Sequence, residues 1–185
     1  DMGDAADIAR AVDEANAALG GIDILVNNAG SSPAGRIEDL DDDIWMTSFE
    51  LKFMGYMRLS RAVLPAMRTQ GWGRIVNIAS VDGFLPFPGM AHYAASKAAV
   101  ISLTKTFGMA YLADNIVVNG VAPGAIDTEP MRIGNHIARL AETAIPMGRG
   151  GEPHEMAEAV AFLASDAASY FVGETIVASG GLAFR

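Results

Sequence analysis

The chain has 185 residues, 51% of them hydrophobic, which is enough for one sizeable core and too little for two ordinary domains. A net charge of -9 without any basic run argues against nucleic acid and anionic lipid as partners. The absence of cysteine excludes disulfides and thiolate metal sites, and the three histidines, His92, His136 and His154, are too scattered for a ligand set.

Residues 4–19 place Ile8, Val12 and Leu19 at helical spacing among alanines, and Gly20-Gly21 stops the helix. Residues 22–26 form a short apolar run of the kind found in a parallel strand covered on both faces, ending at the loop signal Asn27-Asn28-Ala29-Gly30. A long helical stretch over residues 41–69 leads through Gly71-Trp72-Gly73 into a strand at 74–78, and a helix over 92–112 leads into a strand at 116–119. Beyond Pro123-Gly124, residues 131–145 and 152–163 read as helices and 174–178 as a last strand. This alternation predicts an α/β fold, a parallel sheet with helices on both sides. Ligands of such sheets sit outside the carboxyl ends of the strands, so the loops starting at Asn27, Ala79 and Val121 should line one cleft. No apolar run approaches the roughly 20 residues of a membrane helix, and no signal-peptide pattern is present, so a cytoplasmic location and no membrane partner are expected.

Tyr93 and Lys97 lie four apart on a predicted helix, hence on one face with Cβ atoms about 5–6 Å apart. An unperturbed tyrosine ionises near pH ~10, and a neighbouring ammonium favours the phenolate, which brings proton exchange toward neutral pH. The spacing alone fits a solvated helix face equally well. Ser80, at the end of the 74–78 strand, adds a hydroxyl to the same cleft.

In the segments Asn27-Asn-Ala-Gly30, Ile75-Val-Asn-Ile-Ala-Ser80, Tyr93-Ala-Ala-Ser-Lys97, Asn119-Gly-Val-Ala-Pro-Gly124 and Phe162-Leu-Ala-Ser-Asp166, in this order, the sequence resembles the short-chain dehydrogenase/reductase family. It is most similar in flavour to 3-oxoacyl-carrier-protein reductases. The resemblance implies a Rossmann-type doubly wound parallel sheet in three α/β/α layers. It also implies hydride transfer between NAD or NADP and a ketone or secondary alcohol. Tyr93 would then be the general acid/base, Ser80 would hydrogen-bond the substrate oxygen, and Lys97 would lower the Tyr93 pKa and hold the ribose hydroxyls. Asn28, Ala29 and Gly30 would stand beside the cofactor ribose, although a strand-end turn accounts for the same residues. Pro123, Gly124, Ile126 and Thr128 would cover the nicotinamide, and Asp1 and Met2 would contact the adenine.

Many members of that family carry an asparagine three residues before a glycine in the long helix, where its backbone sites a relay water; here Lys52 precedes Gly55 in that way. Lys52 is therefore a further candidate catalytic residue, through its carbonyl or through its charge near Lys97, with a solvent-facing lysine as the alternative. The family's first strand, its Gly-rich pyrophosphate loop and the next strand and helix, roughly 60 residues, have no counterpart. The expectation is thus an N-terminally incomplete single domain over residues 1–185, with an exposed apolar edge on the 22–26 strand and no readable choice between NAD and NADP.

By the same resemblance, residues 84–90 with Met131, Ile133 and Ile137 would wall an apolar pocket suited to an acyl, steroid-like or terpenoid ketone. The two long helices resemble those that pair in family dimers and tetramers, so a homodimer or homotetramer is expected. The alternative function is a noncatalytic homologue acting as an oligomerisation partner or scaffold.

Overall fold

Four strands, β1 (Ile24–Asn27), β2 (Gly73–Ile78), β3 (Ile116–Pro123) and β4 (Thr175–Ala178), pair in parallel in the order β1-β2-β3-β4. The structure, a computed structural model, describes residues 1–183. Helices α1 (Ala5–Leu19), α2 (Asp42–Phe49), α3 (Gly55–Gln70), α4 (Ala91–Tyr111), α5 (Glu129–Arg132), α6 (His136–Thr143) and α7 (Pro153–Ala164) fill the connections.

Side chains of successive strand residues point to opposite faces, and that alternation builds two cores. Ile75 and its register partner Val118 pack with Val12 of α1 and with Val63, Leu64 and Met67 of α3. Val76 and Val121 face the other way, beneath Leu163 and Val160 of α7. The expected three-layer α/β/α sheet is therefore present. Each fully buried aliphatic side chain contributes about 1.5–3 kcal/mol. On β1 the α7 face is bare, and Ile24 and Val26 are 46% and 42% exposed.

The carboxyl ends of the strands are tied by buried amides. Asn27 and Asn77 are register partners, and the Asn27 amide donates to Asn77 Oδ1 at 2.8 Å and to Ser60 Oγ of α3 at 3.2 Å. Asn77 in turn donates to Thr104 Oγ1 of α4 at 3.0 Å. The ladder thus joins both long helices to the strand ends that carry the cleft.

Two expected helices differ. The stretch over 41–69 is interrupted by a π-helical turn, Glu50–Met54, closed by the Gly55 amide donating to Glu50 O. Gly55 permits the close approach of Met2, since a Cβ there would stand 2.9 Å from Met2 O. The expected helix over 131–145 breaks into α5 and α6, because the chain reverses at Asn135, whose φ of 59° is left-handed.

Candidate active site

Ser80 leaves the end of β2 and caps the turn Val81–Gly83, its Oγ accepting from the Asp82 amide at 3.2 Å. Tyr93 lies in the first turn of α4, and Lys97 follows one turn on. Helix α4 seats tightly on the Ser80 turn, since a Cβ at Gly83 would lie 2.9 Å from the Lys97 carbonyl carbon and 2.7 Å from Ile101 Cδ1.

Lys97 is 4% exposed, and its Nζ donates to Ile78 O at 2.6 Å. Burial, helped by the Lys52 charge, pushes its ammonium down to about 7. The Tyr93 phenol is held above its ordinary value by burial and by the Asp82 charge, while a hydrogen bond with Ser80 draws it down. Ser80 thus adds a downward pull on the tyrosine beside the Lys97 ammonium, which lies 5.8 Å from the centre of its ring.

Ser80, Tyr93 and Lys97 line one cavity of about 280 Å³, together with Asn28 and Gly30 from the β1 loop and Pro123, Gly124, Ile126 and Thr128 after β3. The three loops predicted to share a cleft do so. Met131 also lines the cavity, whereas Ile133 is 69% exposed and Phe87 is 64% exposed outside it, so the expected apolar wall is only partly formed. A larger cavity of about 730 Å³ runs along β4 beside Met147 and Phe171, away from these groups.

Four expected site residues lie off the cavity surface. Asp1 is exposed, with its terminal ammonium bonded to Asp7 Oδ2, and Met2 packs against the core around Tyr56. The Ala29 carbonyl accepts from the Tyr56 hydroxyl at 3.0 Å. Lys52 is fully buried rather than solvent-facing: its Nζ donates to Ser31 O at 2.6 Å and to Ser48 Oγ at 3.2 Å. Burial brings it down to about 8.

Sequence reasoning missed three neighbours. Tyr56, fully buried, has its ring 5.3 Å from Lys97 Nζ, and burial raises its pKa; its position one turn after Lys52 was the available signal. His92 is fully buried with both ring nitrogens unpartnered, its ring 6.0 Å from that of Trp45. Asp82, raised by burial, bears on Tyr93 from the turn after Ser80. Among the described residues no group of His, Cys, Asp or Glu is placed to hold a metal ion.

The chain is similar to known proteins over nearly its whole length. Residues 1–183 match the family model described as enoyl-(acyl carrier protein) reductase. The 3-oxoacyl-(acyl-carrier-protein) reductase of Vibrio cholerae serotype O1 is 43% identical over 165 residues, 89% of this chain and 68% of that protein. The enzyme of the same name from Escherichia coli K12 is 40% identical over 180 residues, 97% of this chain and 74% of the other. Among solved structures, a gluconate 5-dehydrogenase from Burkholderia cenocepacia J2315, in complex with NADP and tartrate, superposes with a TM-score of 0.91. It is 36% identical, over 98% of this chain and 72% of its own.

Proposed function

The chain belongs to the short-chain dehydrogenase/reductase family, and from that premise we propose that its hydride-transfer site is the cavity between Ser80, Tyr93 and Lys97. Its activity is that of an NAD(P)-dependent oxidoreductase acting on a ketone or secondary alcohol. One observation carries the site assignment: a hydroxyl, a phenol and an ammonium from β2 and α4 converge on a single cavity outside the strand ends.

The residues present fit the nicotinamide and ribose end of such a cofactor. Lys97 faces the cavity with only one of its three N–H groups used, by Ile78 O, which leaves donors for ribose hydroxyls. Asn28 and Gly30 border the same space, and the 123–128 segment covers it from the other side. When bound, the nicotinamide supplies or accepts the hydride.

The protein's part is to hold the carbonyl and move a proton. The Ser80 oxygen accepts from the Asp82 amide, and its hydroxyl, which donates to Tyr93, can turn to donate to the substrate oxygen. Tyr93, beside it, gives its proton to that oxygen as negative charge develops, and takes it back in the oxidative direction. Lys97, with its Nζ 5.8 Å from the centre of the Tyr93 ring, would hold the ribose hydroxyls when the cofactor is bound and would be a source of the proton that the tyrosine gives up.

Met131 lines the cavity beyond the segment that covers the nicotinamide, which favours an acyl-chain or other apolar ketone. We read the chain as one domain that works in the cytoplasm as a homodimer or homotetramer, a reading supported by its two shared cores and its family. Among the described residues no helix is long and apolar enough to cross a membrane.

The test is hydride transfer followed by nicotinamide absorbance, with NADH and NADPH against 3-oxoacyl thioesters and sugar acids. The wild type should turn over an apolar ketone. Tyr93→Phe should lose about a thousandfold in kcat, and retained turnover would overturn the assignment. The scaffold reading is checked separately: neither dinucleotide would then raise the melting temperature.

A further inference from the structure

The buried Lys52 has no part in the proton path just described, yet three separate observations bring it there. Its Nζ lies 5.7 Å from the centre of the Tyr93 ring, nearly the same distance as Lys97 Nζ at 5.8 Å. Its stem runs along Gly30, with Cγ, Cδ and Cε 3.7 to 4.0 Å from where a Cβ on that glycine would stand. Its ammonium is anchored at both ends of the loop and helix it joins, to Ser31 O and to Ser48 Oγ. A lysine held this way is a fixed charge rather than a mobile one.

We propose that Lys52 is a positioning residue that acts through Lys97: the two buried ammoniums stand against the same Tyr93 ring, and the fixed charge on Lys52 adds its repulsion to burial in governing the proton on Lys97. The catalytic consequence rests on the assignment of Ser80, Tyr93 and Lys97 made above, but the repulsion itself does not.

The surroundings offer no carboxylate to cancel the repulsion. From α4 the titratable neighbours are His92, Tyr93 and Lys97, and from α3 Tyr56, all of them neutral or cationic at pH 7; the nearest acid that bears on them is Asp82, and its charge acts on Tyr93. His92 is held neutral by burial and by the Lys52 charge. Glu50, on the same π turn, is already paired with Arg58 at 2.6 Å. Two like charges in a site of low dielectric cannot both stay protonated, and the one without carbonyl and hydroxyl anchors gives way first. Lys97 has one such anchor and Lys52 has two.

The sequence makes a direct test practical, because it holds only three lysines: Lys52, Lys97 and the exposed Lys105. Protein labelled with lysine carrying ¹³C at Cε, free of cofactor, gives three resonances to follow against pH. In the wild type Lys52 and Lys97 should titrate well below Lys105. In Lys52→Gln, which keeps N–H donors for Ser31 and Ser48 but removes the charge, the Lys97 midpoint should rise by about one pH unit while Lys105 stays in place. In Lys52→Arg it should stay near the wild-type value. The reciprocal variant, Lys97→Gln, should raise the Lys52 midpoint by the same amount, because the coupling is mutual. An unmoved midpoint in either glutamine variant overturns the proposal, even if activity falls. In turnover, the limb of the kcat profile that follows Lys97 should move upward with Lys52→Gln and not with Lys52→Arg. An inactive wild type with a shifted Lys97 resonance would instead count against the hydride-transfer site alone.

Discussion

The cleft has one wall made by the end of β2 and the first turns of α4, backed by the π turn, and another made by the segment after β3 and the start of α5. In the first, Lys52, Tyr56 and His92 are fully buried, and Lys97 is bonded to a strand carbonyl. In the second, α5 has only four residues, and Met131, the side chain it gives to the cavity, is only half-buried. Proton transfer needs groups fixed to within a fraction of an ångström and stripped of water, whereas accommodation of a substrate's remote part needs neither. The division of labour therefore follows burial: chemistry is assigned to the wall with the deeper core, and selectivity to the wall with the looser one.

That contrast can be broken at several points. The largest effect is expected from Tyr93→Phe, where kcat should fall about a thousandfold while the urea midpoint moves little, because only the hydroxyl is removed and the ring stays in place. Next comes Gly83→Ala. The added carbon would meet the α4 backbone, which cannot yield as a side-chain tip would, so unfolding free energy should drop by about 2 kcal/mol with a parallel loss of kcat. If stability holds, the seating of α4 on the Ser80 turn is looser than described.

A third test uses pH. Lys97 and Lys52 are depressed to about 7 and about 8 from 10.5, so above pH ~7 the unfolded chain binds more protons than the native one. Stability should rise with pH from about 7 to about 10, by on the order of 1 kcal/mol per unit in the lower part of that window. Below it the burden of two buried charges is fully present. Lys97→Met should flatten the rise in chemical denaturation curves collected across the range, and an unchanged slope would mean that Lys97 stays charged throughout. The smallest effect is expected on the looser wall: Met131→Ser should change stability by about 1 kcal/mol or less while raising KM for an apolar ketone. A large destabilisation there would erase the distinction between the walls.

Much of the buried wall could be read in advance. Apolar runs bounded by glycines located β1, β2 and β3 to within a few residues, and the alternation aimed Ser80 at the cleft, whereas Tyr93 and Lys97 were tied to it by the family resemblance. The π turn was not legible, because the apolar periodicity over residues 41–69 is the same with or without one wider turn, and the contact between Met2 and Gly55 is a tertiary one. Lys52 was ambiguous for a related reason. A lysine is ordinarily placed outside, and what buries this one is a carbonyl 21 residues away. The break at Asn135 was hidden by the amphipathic pattern on both sides of it. His92 and Asp82 touch the site only through space, and their spacing in sequence carries no signal.

The asparagine pair at the strand ends has a consequence for alignment. Asn27 and Asn77 are 1% and 0% exposed, and each depends on a partner that stands level with it. Sliding β1 past β2 by a single residue would set the Asn27 amide against Val76 or Ile78, at about 1–3 kcal/mol for a group left unpaired. The pair works as an indexing pin: it admits one setting of the two strands, and in that setting Asn28 and Ser80 open onto the same cavity.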